Sequence, residues 1–181
     1  MEARKVQTVS DLLASADERV ELINGEIVRR PMARVEHGFV QGSTREELGP
    51  FHRDNGPGGW CIATEVSVAY DDHQCPSHDL AGWRKTRLPQ RPRGVVELPP
   101  DWVCEIVSPG HERKDTLTLL LLLQRVGVPF YWLIWPEDRT LIAYQLDQGK
   151  YRIVASLNEP TRARIPPFDA IEIDLAYILG V

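Results

Sequence analysis

Two carboxylates sit inside short runs that otherwise have the composition of buried strands, and they limit what this chain can become. Asp79 opens the run Asp79-Leu80-Ala81-Gly82-Trp83, and Glu105 is bracketed by Trp102-Val103-Cys104 and Ile106-Val107. Taking a carboxylate out of water is costly unless something compensates it. A divalent cation is one compensator, because two carboxylates from neighbouring strands make the hard oxygen site that magnesium favours. Arginine or backbone N–H groups at the end of a sheet are another. From these two residues alone both explanations stand.

The remaining pattern predicts an α/β fold, a mixed sheet with helices packed on it. Ser10 ahead of Asp11-Leu12-Leu13 has the chemistry of a helix N-cap. Residues 20–29 alternate as a strand pair around a tight turn at Asn24-Gly25. Residues 35–51 are the best candidate for a long helix, although Gly38, Gly42 and Gly49 weaken it. A loop at 55–59 precedes an alternating strand at 60–70. Residues 87–100 are proline-rich without an apolar period, hence a loop or arm. A central strand at 102–107 leads to a helix at 114–126 that stops at Gly127. Strands follow at 129–135, 141–146 and 151–155. The five tryptophans, Trp60, Trp83, Trp102, Trp132 and Trp135, fall in apolar strand contexts and are expected in the core rather than as base-stacking platforms.

A chain of 181 residues fits one domain, spanning 1–181, better than two. Its net charge of −5 argues against bulk coating of nucleic acid but leaves room for a local basic patch. Such a patch exists in Trp83-Arg84-Lys85-Thr86-Arg87, followed by Arg91 and Arg93. Arg84, Lys85 and Arg87 are the candidate phosphate contacts. A solvated loop, or an arm that wraps a partner, explains the same residues. Cys61, Cys75 and Cys104 show no CxxC spacing, as expected of reduced thiols in a cytoplasmic protein. The first residues lack a signal-peptide core, and the longest aliphatic run, 119–123, is too short to cross a bilayer. No membrane association is expected.

Eight segments occur in a telling order: VELINGEIV, His37-Gly38, GPGGWCIATEVSV, HDLAGWRKTRLP, PPDWVCEIVSPG, Arg113-Lys114-Asp115, GVPFYWLIWP and PPFDAIEIDL. In this register the chain resembles the Uma-type restriction-endonuclease family, a branch of the PD-(D/E)XK nuclease superfamily. The resemblance implies a restriction-endonuclease-like core, a central mixed sheet flanked by helices, with an extra N-terminal hairpin. It also implies a magnesium-dependent DNA endonuclease, manganese being an acceptable substitute, that works as a homodimer. Asp79 and Glu105 would hold the metal. Glu65 matches a further acidic position, either a third carboxylate or partner of a metal-bound water, or a solvent-facing strand residue. Glu21 and Glu26 also match, with a capping or salt-bridge role the better expectation. His37 matches too and is expected to be structural, though within reach of a phosphate.

The chain departs from the family pattern at several points. The proline of the PD dipeptide is His78, expected to be an exposed loop histidine, with metal or phosphate binding as the alternative. The superfamily lysine, two residues after the glutamate, is Val107. In this branch the lysine lies four residues after the position of Asp115, which here is Leu119, and a tyrosine four residues further on is Leu123. The two leucines share one helical face and suit a buried helix. Lys114, Lys85 or Arg113 would have to supply the cation, and Lys114, at the helix start, is the candidate catalytic residue. The expectation is therefore a metal-dependent phosphodiesterase impaired at one position. The alternatives are an inactive nuclease fold that binds nucleic acid or a protein partner, and a hydrolase of a small phosphoester.

Overall fold

The computed structural model describes residues 6–32, 34–53, 57–110, 112–159 and 161–181. Asn55 and Gly56 of the expected loop lie outside that set. At the N-terminal end, α1 (Val9–Leu13) precedes a hairpin of β1 (Val20–Ile23) and β2 (Glu26–Arg29). The hairpin turn has positive φ at Asn24 (51°) and Gly25 (72°), the left-handed pair that a type I′ turn demands. Thr8, not Ser10, caps α1. Its hydroxyl accepts the Asp11 N–H while the Asp11 carboxylate accepts the Thr8 N–H, a reciprocal box that Ser10, already inside the helix, cannot form.

The expected helix at 35–51 is divided into α2 (Val35–Glu47) and α3 (Gly49–His52). Pro50 falls in the first turn of α3. Proline lacks the N–H needed to continue a helix but is pre-set to begin one. Beyond it runs the main sheet: β3 (Trp60–Ser67), β4 (Ser77–Arg84), β5 (Trp102–Ile106), β6 (Phe130–Trp135), β7 (Thr140–Asp147) and β8 (Lys150–Leu157). Spatial order follows chain order, so β3 and β8 are the edges. Every pairing is antiparallel except β5 with β6. A parallel step needs a crossover, which here is a π-helical segment (Lys114–Leu119) running into α4 (Leu120–Val126). The predicted helix at 114–126 is thus present, but its first part is wound wider than an α-helix. Gly127, at φ 81°, ends it.

The central strands β4, β5 and β6 are buried on both faces. On one, Leu80, Trp102, Cys104, Ile106, Trp132 and Ile134 pack with Val40 of α2, Phe51 of α3 and Leu48 between them. On the other, Ala81, Trp83, Val103, Tyr131 and Leu133 meet Leu119, Leu122 and Leu123 of the crossover. The alternation along each strand assigns the faces. Gly82 keeps this packing close: a Cβ there would lie 3.2 Å from the rings of both Trp60 and Trp102, which would have to give by a few tenths of an ångström. Phe168 closes the first core, its ring centroid 4.8 Å from Trp60, 5.0 Å from Trp102 and 5.5 Å from Trp132. The chain ends with a separate two-stranded sheet, β9 (Arg162–Ala163) with β10 (Ile173–Asp174), and α5 (Leu175–Leu179), which packs against α2. Among the described residues no helix is long and apolar enough to cross a membrane.

Candidate metal centre and active site

The site forms where β4 and β5 part. Their ladder runs from Gly82–Trp102 to Leu80–Cys104. Beyond it, side chains replace backbone partners: the Ile106 N–H donates to Asp79 Oδ2 at 2.7 Å, and the Asp79 N–H donates to Glu105 Oε2 at 3.3 Å. Both carboxylates thereby satisfy backbone donors that would otherwise be orphaned at the end of a buried sheet. Each oxygen keeps a further lone pair for another partner.

Two elements, α2 and β3, converge on Asp79. His37, in the first turn of α2, directs Nε2 at Asp79 Oδ1 from 3.2 Å. Glu65 lies on β3, where φ turns positive (51°) and the strand kinks. Gln41, one helical turn after His37, donates from Nε2 both to Glu65 Oε1 and to the Asp79 carbonyl, each at 2.8 Å. Arg30 forms an ion pair with the other Glu65 oxygen. One ligand atom from each of His37, Glu65 and Asp79 lies within 4.8 Å of the other two. All three line an open pocket of about 320 Å³ together with Arg30, Glu105, Lys114 and Asp115. Burial pushes the Asp79 carboxyl upward, but the His37 hydrogen bond and charge, the Ile106 N–H and Lys114 outweigh it and hold it below its ordinary range. In return the Asp79 hydrogen bond raises the His37 imidazole, against burial.

Behind this pocket the structure corrects the expectation for His78. It is not an exposed loop histidine but a fully buried residue of β4, with Nδ1 2.5 Å from Glu105 Oε1 and Nε2 2.8 Å from the Tyr70 hydroxyl. All three groups are satisfied when Tyr70 donates to Nε2 and Nδ1 carries the hydrogen toward Glu105. Burial, and then the charge on Lys114, press the imidazole down to about 3, so it is neutral. Burial and the nearby Asp79 charge raise Glu105 well above the usual carboxylate range. The strand environment that makes a histidine look out of place is what buries it, and Glu105 is the partner that makes the burial tolerable.

Lys114 reaches the same pocket from the crossover. Its ion pair, however, is with Glu21 at 2.9 Å and not with Asp79 or Glu105. Glu21, on β1, is 2% exposed and also accepts the Ser77 N–H at 3.1 Å. Its salt-bridge role, expected from sequence, is realised at the site rather than beside the hairpin turn. Glu105, Glu21 and Asp115 raise Lys114 further although burial works against the charge. Asp115, pressed by burial and by Glu105, is pushed up to about 8. Val107, Leu119 and Leu123 are all buried in the second core. Lys85 follows the opposite end of β4, six residues from Asp79, or roughly 20 Å at strand rise. It therefore does not reach the acids as a substitute cation. Arg113, just before the π-helical segment, is exposed.

The basic segment is partly committed to the fold. The Arg84 guanidinium stacks 4.0 Å over Trp60, and Arg87 pairs with Asp101 at 2.6 Å. Trp83, Trp60, Trp102 and Trp132 are buried and Trp135 is half-buried, as their strand contexts predict.

A family model described as "Putative restriction endonuclease" (Uma2) matches residues 6–176. The chain belongs to that family. Among solved structures, a protein described as "a putative nuclease belonging to DUF820 from Anabaena variabilis ATCC 29413" superposes with a TM-score of 0.78 at 21% identity, covering 96% of this chain and 97% of that one. This likeness shows that the fold is shared. No curated protein matches.

The donor set of this Uma2 member fits a divalent cation. Ligand atoms held around one small cation at about 2.0–2.3 Å can be no more than about 4.6 Å apart. His37, Glu65 and Asp79 bring one atom each within 4.8 Å of one another, so closure by a few tenths of an ångström would let them share a cation. Glu105 borders the same space and retains lone pairs. His37, expected from sequence to be structural, stands beside Asp79 and Glu65, and its match to a family position is the signal that points to that meeting.

Proposed function

We propose that this protein is a divalent-metal-dependent nuclease that hydrolyses phosphodiester bonds in DNA. The observation that carries the reading is the convergence of His37, Glu65 and Asp79 at an open pocket backed by Glu105 and Lys114, in a chain of this family. Magnesium, or manganese, held there would supply Lewis acidity toward a phosphoryl oxygen and an activated water. Asp79 stays ionised for this work because His37 and the Ile106 N–H favour its charged form. Glu65, half in solvent and aligned by Gln41 and Arg30, completes the donor set and orients water. Glu105 fixes the Asp79 backbone and is itself aligned by His78. Lys114 contributes the positive charge that faces the developing phosphorane. Cleavage of both strands would use two copies of the chain.

A second reading has its own support: an inactive nuclease fold that binds nucleic acid without cutting it. Leu119 and Val107 place no cation at either lysine position, and Glu21 holds Lys114. Supercoiled plasmid in magnesium or manganese separates the two readings. Nicking or linearisation by the parent, lost in both Asp79→Ala and Glu105→Ala, supports the nuclease. An intact plasmid under every condition, with oligonucleotide binding retained, supports the binder.

A further inference from the structure

At the far end of β3 from Glu65 lies a cluster of cations contributed by separate elements. Arg45 comes from α2, His52 ends α3, Arg53 follows it, and Arg91 comes from the proline-rich loop. His52 and Arg91 meet in an arrangement that lacks an acceptor. The Ile62 N–H donates to His52 Nδ1 at 3.2 Å, so in the neutral ring Nε2 carries the hydrogen. That Nε2 faces Arg91 Nη2 at 3.4 Å, donor against donor. No carboxylate among the described residues pairs with Arg45, Arg53 or Arg91. Burial, followed by Arg45, Arg91, Lys85 and Arg53, lowers the His52 pKa. The cluster therefore has donors and positive charge in excess, the complement of an anion with several oxygens.

The cluster is continuous with the candidate metal centre. A groove of about 790 Å³ runs along the edge strand β3 from Arg45, His52 and Arg91 to Glu65, floored by strand residues 61–67 and walled by the loop at 91–96. At one end it shares Glu65 with the acidic pocket, and at the other it shares His52, Cys61 and Arg91 with a second hollow of about 420 Å³. From Cys61 to Glu65 is four residues, about 13 Å of strand. Measured along the axis of a duplex, that length is roughly four base-pair steps at 3.4 Å each.

We infer that the β3 groove is a phosphate track for a nucleic-acid strand, with Arg45, His52 and Arg91 contacting its backbone some way from the bond at the metal centre. The inference rests on the nuclease reading for its choice of polyanion. It relocates the phosphate contacts from Arg84 and Arg87, which are engaged internally, to cations that pair with no carboxylate among the described residues. Sequence order hides the cluster, since its members come from three segments spread over more than forty residues.

The test is binding without cleavage: fluorescence anisotropy of labelled single-stranded and duplex oligonucleotides in EDTA across a salt series. Arg45→Ala and Arg91→Ala are each expected to weaken binding several-fold at moderate salt, irrespective of sequence. Each should also reduce the slope of log affinity against log salt by about 0.7–0.9. Arg152→Ala, on the opposite edge strand β8, makes the same change in net charge and should alter neither. Arg91 is exposed on a loop, so its variant stays informative if Arg45→Ala folds poorly. Unchanged slopes in both groove variants overturn the track, as does an equal loss in Arg152→Ala. A parent with no salt-dependent binding, as expected if the β3 edge pairs with a peptide strand instead, overturns it too. A parent that binds as described but never cleaves defeats the nuclease reading and leaves the track standing.

Discussion

Lys114 and Glu21 form the contact in this site whose loss has the clearest energetic consequence. Glu21 is 2% exposed and has two supports, the Lys114 ammonium at 2.9 Å and the Ser77 N–H at 3.1 Å. Lys114→Met keeps the aliphatic stem and removes the charge, leaving a buried carboxylate with one neutral donor. Breaking a buried ion pair from one side costs about 3–5 kcal/mol. The surviving Ser77 bond and the 27% exposure of the Lys114 side chain point to the lower end. A loss of about 3 kcal/mol lowers the folded-to-unfolded ratio by roughly 150-fold. Glu21→Gln in the same chain removes the stranded charge and still offers an oxygen to Ser77. The double variant is therefore expected to recover most of the loss. Urea unfolding of the parent, both single variants and the double variant measures this. A Lys114→Met midpoint within error of the parent, or a double variant no more stable than Lys114→Met, would refute the reasoning. The same proteins sort the two roles of the lysine. A double variant that is stable but does not cleave assigns Lys114 to catalysis, whereas restored cleavage makes it structural.

Three further outcomes are expected. Asp115 has a folded pKa of about 8, above its value in the unfolded chain, so the folded state holds the extra proton between those two values. Its contribution to stability is then fully present at low pH and is lost as pH rises, by up to about 1.4 kcal/mol per pH unit. Asp115→Asn should flatten the fall in urea midpoint between pH 5 and pH 7.5, and an unchanged slope would count against the placement of Asp115. His37→Ala should weaken divalent-metal binding by roughly tenfold or more in calorimetry, with the larger loss for manganese because imidazole suits it better than magnesium. Equal affinities in parent and variant would remove His37 from the donor set. Leu119→Lys should lower stability by several kcal/mol and restore no cleavage, because it places an unpaired ammonium in an apolar core. A stable Leu119→Lys protein with enhanced cleavage would show that position 119 does face the acids.

Strand positions were legible because burial on both faces writes continuous apolar runs, as in β4 and β5, while half-exposed β7 alternates. Helix interiors were legible and their ends less so. Thr8 displaced Ser10 as cap because the choice depends on which hydroxyl Asp11 can reach back to, a reciprocity that one residue does not reveal. The break at Leu48 between α2 and α3 was written in Gly49-Pro50, but three glycines in one window blurred it. The π-helical winding at 114–119 left no local mark in the sequence.

The site divides along the same line. Asp79 and Glu105 were visible as charges where a strand should have none, and both explanations open at that stage prove compatible. Their oxygens cap the backbone at the parting of β4 and β5, and that geometry leaves lone pairs directed at a shared pocket. A role in the fold and a role in holding metal are therefore not alternatives: the backbone bonds fix the carboxylates before any ligand arrives, so little ordering entropy remains to be lost on binding. His37 and His78 resisted reading because a histidine's meaning lies in its partners. Both are separated in sequence from the carboxylates they meet: Asp79 is forty-two residues from His37, and Glu105 is twenty-seven from His78. His78 in particular stands where the family pattern has proline, and it turns a backbone constraint into a side-chain one. Its imidazole, wedged between Tyr70 and Glu105, holds the carboxylate in place by hydrogen bonding where proline would have acted only on the entry of the chain.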